Sequence, residues 1–283
     1  MAEIDSINGI AVASISQVNG IIKSGITNVQ GFTFPAGGTP TTFLAKQSSW
    51  GAGSADGSSG AIGLARVPTG WQTNTTDTVY SSTTADRQWT SDTGGTTPSS
   101  TTGPTAGHDS SALDGREAAS TDDYIYTEAT SQFNKRMLLR TPELNFTNAL
   151  ANNTLQLNFW FHMYGSNIST AGLGVAVTDN STSAGDSTLS LHFTSDTAGG
   201  ATIVYWDTAD DDGSSTASGV RISGQQQTAG HGSTSTSAHW RKATVDLNSV
   251  AGQSSVYIWF YSRTGASFRS DVAIDDVVVT GEE

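Results

Sequence analysis

The most regular alternation of apolar and polar side chains in the sequence runs from Leu155 to Ser166. Leu, Leu, Phe, Phe and Met occupy alternate positions there, with Gln, Asn, Trp and His between them. A period of two places one apolar set on one face of a β-strand. Five large side chains predict a core strand, each contributing roughly 1.5–3 kcal/mol if fully buried. The other face carries Trp160 and His162, so we expect a loop or a partner to cover it.

Short stretches of similar character recur between Leu64 and the C-terminus, separated by Ser, Thr, Gly and Asp. The candidate strands are Tyr124–Ala129, Met137–Arg140, Gly172–Val177, Thr188–Phe193, Ile203–Trp206, Ala243–Leu247, Val256–Tyr261 and Val272–Val279. A convincing 3.6-residue apolar repeat is absent from the sequence, and only Asn145–Ala151 could form one helical turn. The regular spacing of short strands predicts an all-β fold, a β-sandwich.

One of these strands has two apolar faces of different character. Val256, Ile258 and Phe260 are predicted to face the core. The opposite face is aromatic, formed by Tyr257, Trp259 and Tyr261. Together with Trp160, these rings form a possible glycan-binding surface, because exposed aromatic rings can stack on sugars. The alternative is that a long loop or extra N-terminal strands cover them.

The first part of the chain repeats every eleven residues. The three copies contain Ile7-Asn8-Gly9-Ile10, Val18-Asn19-Gly20-Ile21 and Val29-Gln30-Gly31-Phe32. Asn-Gly favours turns with positive φ, so each copy predicts a short strand, a turn and a short strand. Such units have too little apolar surface to fold alone. We therefore expect an arm that docks onto other proteins or onto copies of itself, with a flexible tail as the alternative.

Glycine and proline mark the predicted domain boundaries. Pro35 and Pro40, with two glycines between them, end the arm. The Gly/Ser-rich stretch 51–60 predicts a linker, with Trp50 as a local anchor before it. We expect three segments: an assembly arm over 1–46, a linker over 47–63 and the β-sandwich over 64–283.

Composition excludes several classes of function. The sequence has no cysteine, which rules out disulfides and thiolate metal sites. Its formal charge of −13 in 283 residues disfavours nucleic acid as a partner. It lacks an 18-residue apolar run, so no membrane insertion is expected. The first residues, Met1 to Asp5, do not resemble a secretory signal.

The sequence offers no convincing catalytic constellation. His108, Asp109 and Ser110 have the residue types of a hydrolase triad, but adjacent residues cannot form its geometry. The chain has no Gly-x-Ser-x-Gly elbow and no paired His spacing for zinc. We therefore do not expect an enzyme, and no cofactor is required.

Several motifs occur in an order that resembles one known family. They are Gly70-Trp71, Trp89-Thr90, Thr96 to Pro104 followed by Gly107-His108-Asp109, Tyr124-Ile-Tyr-Thr-Glu-Ala129, Arg136 to Pro142, Phe159-Trp-Phe-His-Met-Tyr-Gly165, Val245-Asp-Leu247 and Asp271-Val-Ala-Ile-Asp-Asp-Val277. This series resembles the MAM domain, an extracellular jelly-roll adhesion module. The resemblance covers roughly 210 residues, although the paired cysteines of the family are missing. It implies a jelly-roll-type β-sandwich used for adhesion.

The resemblance also implies a possible cation site. Some MAM domains hold a cation, often calcium, near acidic residues that correspond here to Asp109, Asp275 and Asp276, with Glu128 as a weaker candidate. Carboxylates that converge from distant strands would suit Ca²⁺. The alternative is that these side chains cap or hydrogen-bond loops.

The repeat arm resembles N-terminal segments of bacteriophage virion proteins, particularly those of marine phages. Combined with the MAM-like body, this resemblance implies a structural or adhesion protein on the exterior of a virion. Head decoration, tail accessory and tail fibre are the roles it suggests, with other virion proteins or own copies bound by the arm. A host surface protein or glycan would then contact the MAM-like domain. The alternative is a cell-surface or secreted carbohydrate-binding or adhesion module.

Overall fold

The computed structural model describes 38–50, 67–74, 87–93, 102–104, 106–111, 116–117, 122–152, 154–168, 172–178, 192–193, 202–205, 219–227 and 240–283, together with short strands before residue 34. Twenty strands lie within these residues. Those of the arm are β1 (Ser6–Ile7), β2 (Ile10–Ala11), β3 (Gln17–Val18), β4 (Ile21–Ile22), β5 (Asn28–Val29) and β6 (Phe32–Thr33). The following ones are β7 (Pro40–Gln47), β8 (Gln72–Asn74), β9 (Arg87–Gln88), β10 (Thr90–Thr93), β11 (Asp123–Thr127), β12 (Arg136–Arg140) and β13 (Gln156–His162). The last are β14 (Gly172–Thr178), β15 (His192–Phe193), β16 (Thr202–Tyr205), β17 (Gly219–Ser223), β18 (Arg241–Asp246), β19 (Tyr257–Arg263) and β20 (Val272–Glu282).

Two antiparallel sheets form the body of the protein. Among the described residues, sheet I has seven strands in the order β10-β11-β20-β13-β18-β15, with β7 also paired to β20. Sheet II has six described strands in the order β16-β17-β14-β19-β12-β8. A 3-10 helix spans Asn248–Val250. No helix in the described part of the chain is long and apolar enough to cross a membrane. The predicted all-β class is confirmed.

The core lies between the two sheets and follows the alternation read from the sequence. Along β13, Leu157, Phe159 and Phe161 are fully buried. The ring of Phe159 meets Phe260 of β19 edge to face, with centroids 5.1 Å apart, which joins sheet I to sheet II. Val256, Ile258 and Phe260 belong to the same core cluster. The predicted inward faces of both strands are confirmed, and the two sheets form a β-sandwich.

Each repeat of the arm forms the expected pair of short strands. β1 pairs with β2 through Ile7 and Ile10, β3 with β4 through Val18 and Ile21, and β5 with β6 through Val29 and Phe32. Two residues separate the strands of each pair, which is the spacing of a two-residue hairpin. Asn8, Gly9, Asn19, Gly20 and Gly31 of the predicted docking arm lie outside the described residues. The docking role stays a prediction.

The predicted boundary between arm, linker and sandwich is wrong. β7, which falls in the predicted arm, pairs antiparallel with the second half of β20. Trp50, in the predicted linker, is fully buried and contacts Trp71 edge to face at 5.0 Å. The described sandwich therefore includes residues 38–50. The sequence of β7 hides this role, because Pro40-Thr-Thr-Phe lacks clean alternation and only Leu44 of the strand is buried.

β20 organises sheet I. Along one edge, this eleven-residue strand pairs with β13 from Ala273 to Thr280. Along the other edge β11 pairs with Val272 to Ile274 and β7 pairs with Val277 to Glu282. The two shorter strands therefore lie end to end, and Asp275 and Asp276 fall in the gap between them. We call this gap, with Asp275 and Asp276 at its centre, the sheet junction.

Candidate functional site

The sheet junction contains a β-bulge. Asn158 of β13 pairs with Val278 and Trp160 pairs with Asp275, so two residues of β20 lie opposite Phe159. Asp276, the first of the two, has a φ of 49°. Asp is among the few non-glycine residues that tolerate this left-handed region. The bulge turns consecutive carboxylates into the gap between β11 and β7.

Both oxygens of Asp275 accept hydrogen bonds, from two other segments of the chain and from the next residue. Its Oδ1 accepts a hydrogen bond from Nε1 of Trp50 at 3.1 Å and from the backbone N–H of Asp276 at 2.7 Å. Its Oδ2 accepts from the backbone N–H of His108 at 2.8 Å. The backbone N–H of Trp50 in turn donates to Asp123 Oδ2 at 2.7 Å. The carboxylates therefore tie the end of β7, the start of β11 and the segment around His108 to β20.

Asp276 anchors the same segment through side chains. The Nδ1–H of His108 donates to Asp276 Oδ2 at 2.8 Å, and the hydroxyl of Ser110 donates to Oδ1 at 2.6 Å. The Nζ of Lys46 lies 4.0 Å from Oδ2. The side chains of His108 and Asp276 are 1% and 3% exposed, respectively. Breaking a buried pair of this kind is costly, because removing one partner leaves the other buried without its hydrogen bond.

The segment from Thr102 to Ser110 covers the outer face of sheet I. The imidazole of His108 lies flat on Trp160, with centroids 3.9 Å apart and an interplanar angle of 14°. Trp240 donates from Nε1 to the carbonyl of Ala106 at 3.2 Å, and Tyr124 donates to the carbonyl of Pro104 at 3.4 Å. The predicted covering of the Trp160 face is confirmed, and a loop provides it.

Burial dominates the electrostatics of the junction. It raises the pKa of Asp275 well above the ordinary value of 3.8, and the neighbouring charge of Asp276 raises it further. The hydrogen bonds from Trp50, Asp276 and His108 oppose this shift without cancelling it. Burial and then the charge of Asp123 likewise raise the pKa of Asp122. The junction therefore favours protonation of its most buried carboxyl.

The four predicted calcium ligands do not form a calcium site. Asp109 turns toward Ser111, whose hydroxyl donates to it at 2.6 Å. Glu128 accepts from the backbone N–H of Thr130 at 2.5 Å and lies four residues along the strands from Asp275, roughly 13 Å away. The remaining two, Asp275 and Asp276, face N–H and O–H donors, which a cation would displace. Among the described residues, no group of three His, Asp or Glu side chains is arranged to hold a metal ion.

The junction does not have the geometry of a hydrolase either. In a catalytic triad the acid orients one imidazole nitrogen while the other nitrogen contacts the nucleophile. Here Ser110 and His108 both bond to the same carboxylate of Asp276. The Nε2 of His108 is buried and has no hydrogen-bond partner among the described residues. We assign these three residues a structural role.

The predicted aromatic binding surface is not exposed. Trp259 is 1% exposed and Tyr261 is 3% exposed, so their prediction as surface residues is wrong. Tyr257 is half-buried, with the guanidinium of Arg140 4.6 Å from its ring centroid. Trp160 is half-buried beneath His108. Alternation correctly places Tyr257, Trp259 and Tyr261 on one face of β19, but Trp160 lies in the other sheet, and alternation does not reveal how far these rings are buried.

An exposed surface lies instead at one end of the sandwich. It consists of 129–135, 163–168, 224–227 and 264–271, which we call the loop end. Hydrogen bonds join its segments: Asn134 N–H to the Gly265 carbonyl at 2.9 Å, Asn167 N–H to the Arg269 carbonyl at 3.1 Å, and Gly165 N–H to Gln225 Oε1 at 3.3 Å. The four segments therefore form one connected surface.

Phe133 occupies the most constrained turn of the loop end. Its ring is 45% exposed, although the residues around it, Ser131 and Asn134, have φ values of 58° and 55°. Such non-glycine conformations cost of order 1–3 kcal/mol each and persist only when their surroundings enforce them. Thr264 provides this restraint, because its hydroxyl donates to the Gln132 carbonyl at 2.5 Å and accepts from the Lys135 N–H at 2.8 Å. These hydrogen bonds fix the backbone on both sides of Phe133, whose side chain is exposed.

Phe268 is the second exposed aromatic residue of the loop end. It is 38% exposed, and the guanidinium of Arg269 lies 5.2 Å from its ring centroid. Among the described residues, the only other large hydrophobic side chain exposed to this degree is Leu150, at 37%. Leu150 lies at the opposite end of the sandwich, where its N–H donates to the Glu282 carbonyl. Exposed aromatic area in the described structure is therefore concentrated at the loop end.

Basic and acidic side chains lie at opposite ends of the sandwich. Lys135, Arg263 and Arg269 lie at or beside the loop end, and the acidic residues there, Glu128 and Asp271, are both buried. Exposed or half-buried carboxylates gather at the opposite end, which carries Glu143, Asp246, Glu282 and Glu283. β20 spans the distance between the ends, roughly 33 Å for eleven residues. In a chain of net charge −13, the loop end is a cationic surface.

The described body connects to the arm at the acidic end. Thr39 and Glu283 exchange backbone hydrogen bonds of 2.8 and 3.0 Å there. We call this the exit end. The loop end is therefore distal to the point at which the chain enters β7.

Sequence reasoning missed Phe133, Phe268 and Arg269. The available signal was an aromatic residue inside a short polar connection, Thr130-Ser-Gln-Phe-Asn-Lys135 and Ala266-Ser-Phe-Arg269. A phenylalanine in such a turn has no strand face to bury it. This signal alone does not predict exposure, because Phe146 lies in a similar polar connection and is fully buried.

No protein-family model matches the chain, so the MAM resemblance stays a prediction. Among solved structures, the chain is similar to the K1 cleaved adhesin domain of Lys-gingipain from Porphyromonas gingivalis W83. The two share 13% sequence identity, the match covers 86% of this chain and 98% of that chain, and the TM-score is 0.40. It is similar to the K3 cleaved adhesin domain of the same protein at 15% identity, 85% and 98% coverage and a TM-score of 0.38. TmCBM61, solved with β-1,4-galactotriose, matches at 11% identity, 59% and 74% coverage and a TM-score of 0.30. Similarity at this level carries no functional inference, and the fold is assigned from the two sheets themselves.

Proposed function

We propose that this protein is a non-enzymatic adhesion module that binds its ligand at the loop end. One observation carries the proposal: Phe133 is exposed on a strained turn that Thr264 braces, at the end of the sandwich opposite to the start of β7. An aromatic side chain has few rotatable bonds and therefore loses little conformational entropy on binding. Loops on a rigid sandwich are also common positions for binding residues.

The other polar clusters support a binding module rather than an enzyme. Asp275, Asp276 and His108 are committed to holding the covering segment on sheet I. Their oxygens accept hydrogen bonds from the protein itself, which leaves no arrangement for general acid–base or nucleophilic chemistry. The module therefore acts by presenting a surface.

The test compares exposed apolar residues at opposite ends of the full chain. Wild type, Phe133→Ser and Leu150→Ser are screened on a glycan array and for sedimentation with intact bacterial cells. We expect Phe133→Ser to abolish binding and Leu150→Ser to retain it, because both remove an exposed apolar side chain but only one lies at the loop end. Equal binding by wild type and Phe133→Ser, or no binding by wild type to either target, would contradict the proposal.

We also propose that the repeat arm attaches the module to a larger assembly. Three short β-pairs, β1–β2, β3–β4 and β5–β6, favour this role because such units need a neighbour to bury their apolar residues. The partners are other virion proteins or own copies, and the placement on a virion exterior rests on the sequence resemblance alone. Calcium is not part of this proposal.

Two measurements address the arm. Light scattering on the full chain and on a chain beginning at Gly38 distinguishes self-association from docking: a defined oligomer that becomes monomeric without the arm indicates own copies. Two monomers indicate a separate partner surface. Mass spectrometry of purified phage particles tests the virion setting, which detection of the chain would support and its absence would contradict.

A further inference from the structure

We infer that the ligand of the loop end is a carboxylated polysaccharide. This inference rests on the proposed function and specifies its ligand class. Three properties of the surface carry it: its positive charge, its exposed aromatic rings and its exposed amide and hydroxyl groups.

Charge selects an anionic ligand. Arg269 is exposed, and Lys135 and Arg263 are half-buried, whereas the acidic residues at or beside the loop end, Glu128 and Asp271, are buried. The acidic exit end and the overall charge of −13 repel a polyanion from the rest of the molecule. Guanidinium groups bind carboxylates through paired hydrogen bonds, so Arg269 matches a uronic acid in geometry as well as in charge.

The remaining surface groups select a sugar. The exposed rings of Phe133 and Phe268 offer apolar area to the C–H side of a pyranose, with one face of the Phe268 ring covered by Arg269. Asn134, Gln225, Ser131 and Ser166 are exposed around them. Amide and hydroxyl groups both donate and accept, as sugar hydroxyls do. The combination fits a polymer that carries carboxylates on hydroxyl-rich rings.

Other ligand classes fit less well. Peptides are commonly recognised through a free strand edge or a groove. Here the N–H groups of Asn134, Asn167 and Gly265 already donate within the loop end. Nucleic-acid binding depends on neutralising many phosphates along the backbone, whereas the loop end offers only Lys135, Arg263 and Arg269 as basic residues. A second copy could place its acidic exit end on the loop end, so association between copies is one outcome that the test must resolve.

Biolayer interferometry with the full chain tests the inference. The immobilised probes are polygalacturonate and alginate, with fully methyl-esterified polygalacturonate as the neutral counterpart and poly-L-glutamate as the acidic peptide. Arg269→Gln removes a loop-end cation, and Lys242→Gln removes an exposed cation from β18 as the matched control. Phe133→Ser and Leu150→Ser form a second matched pair.

We expect binding to at least one of the two carboxylated polysaccharides and none to the ester. Added salt should weaken the binding, because the cations are near the solvent. Arg269→Gln should weaken it by about tenfold or more, the effect of losing one charge-assisted hydrogen-bonded pair. Lys242→Gln should leave the affinity unchanged.

Each contrary result overturns the inference in a recognisable way. If the ester binds as well as the carboxylated polysaccharide, the protein does not recognise the charge. If poly-L-glutamate binds equally well or better, the protein does not recognise the sugar. Concentration-dependent association in light scattering that Arg269→Gln abolishes identifies a second copy as the occupant. Failure with both polysaccharides rejects the ligand class, whereas Phe133-dependent binding to neutral glycans would leave the proposed function standing.

Discussion

The imidazole of His108 lies flat on the indole of Trp160, with ring centroids 3.9 Å apart, while its Nδ1–H donates to Asp276. This one side chain therefore joins the covering segment both to the outer face of sheet I and to the sheet junction. We expect His108→Ala to lower the free energy of unfolding by about 2–4 kcal/mol, because it removes packing and leaves a buried carboxylate without its main donor. Urea unfolding measures the loss. His108→Phe retains the ring and should recover the packing part only; full recovery would show that the hydrogen bond contributes nothing.

Asp276→Asn should destabilise the protein much less than Asp276→Ala. Asp276→Asn keeps a residue that accepts the left-handed φ of 49°, and its amide can accept from His108 and donate to Ser110. Asp276→Ala loses both hydrogen bonds and strains the bulge. We expect a destabilisation below about 1 kcal/mol for Asn and about 2–4 kcal/mol for Ala. Thermal and urea unfolding of both variants check this, and equal losses would contradict the bulge argument.

The raised pKa of Asp275 makes stability depend on pH. The folded protein holds this proton to a higher pH than the unfolded chain, in which the pKa is near 3.8. Its contribution is therefore fully present below that value and is lost as the pH rises through the folded pKa, by at most about 1.4 kcal/mol per pH unit. Asp275→Asn does not titrate. The unfolding free energy of wild type minus that of Asp275→Asn should fall as the pH rises from 3.8 and level off above the folded pKa of Asp275; a constant or rising difference would refute the assignment.

The revised boundary predicts which shortened chain folds. A chain beginning at Gly38 keeps β7 and Trp50, and we expect a cooperative unfolding transition like that of the full protein. A chain beginning at Leu64 loses the strand that pairs with Val277 to Glu282 and leaves Asp275 without Trp50. We expect it to be insoluble or to unfold without cooperativity, as judged by circular dichroism and calorimetry. A cooperative transition in the shorter chain would restore the boundary read from the sequence.

Gly165 shapes the loop end by permitting close backbone contact. A Cβ at this position would lie 2.4 Å from the Arg269 carbonyl oxygen. Gly252 also has a positive φ, of 86°, but an added Cβ there would meet nothing within 4 Å. Gly165 has a φ of 151°, so comparing Gly165→Ala with Gly252→Ala contrasts a crowded positive-φ position with an open one. We expect Gly165→Ala to be the more destabilising by about 1–3 kcal/mol in urea unfolding and to weaken loop-end binding; equal effects would show that the contact relaxes freely.

Local patterns in the sequence predict the parts of this fold that depend on neighbouring residues. Alternation identifies β13 and the inward face of β19, and Asn-Gly spacing identifies the paired strands of the arm. The need to cover Trp160 also follows from the sequence, because an amphipathic outer face cannot remain in water without cost. These features each depend on a few consecutive residues.

The features that the sequence does not reveal depend on distant partners. β7 becomes a strand because β20 is long enough to hold two neighbours on one edge. Trp50 is buried because Asp123 and Asp275 accept its two N–H groups. Tyr261 and Trp259 share a face as predicted, but their burial depends on what the rest of the chain places over them. The calcium prediction fails for a related reason. The order of motifs in the sequence does not show that N–H groups of distant residues donate hydrogen bonds to these carboxylates.

The pairing of β20 also determines when the protein can fold during synthesis. β7, β11 and β13 are all made before β20, and each uses it as a partner in sheet I. Until β20 leaves the ribosome, these strands lack the hydrogen bonds that β20 provides, and sheet I cannot form between them. Non-local pairing of this kind slows folding and exposes sticky intermediates. A ribosome-bound nascent chain that ends before Val272 should therefore be sensitive to protease and bound by chaperones, with protection appearing only after β20 has emerged from the ribosome.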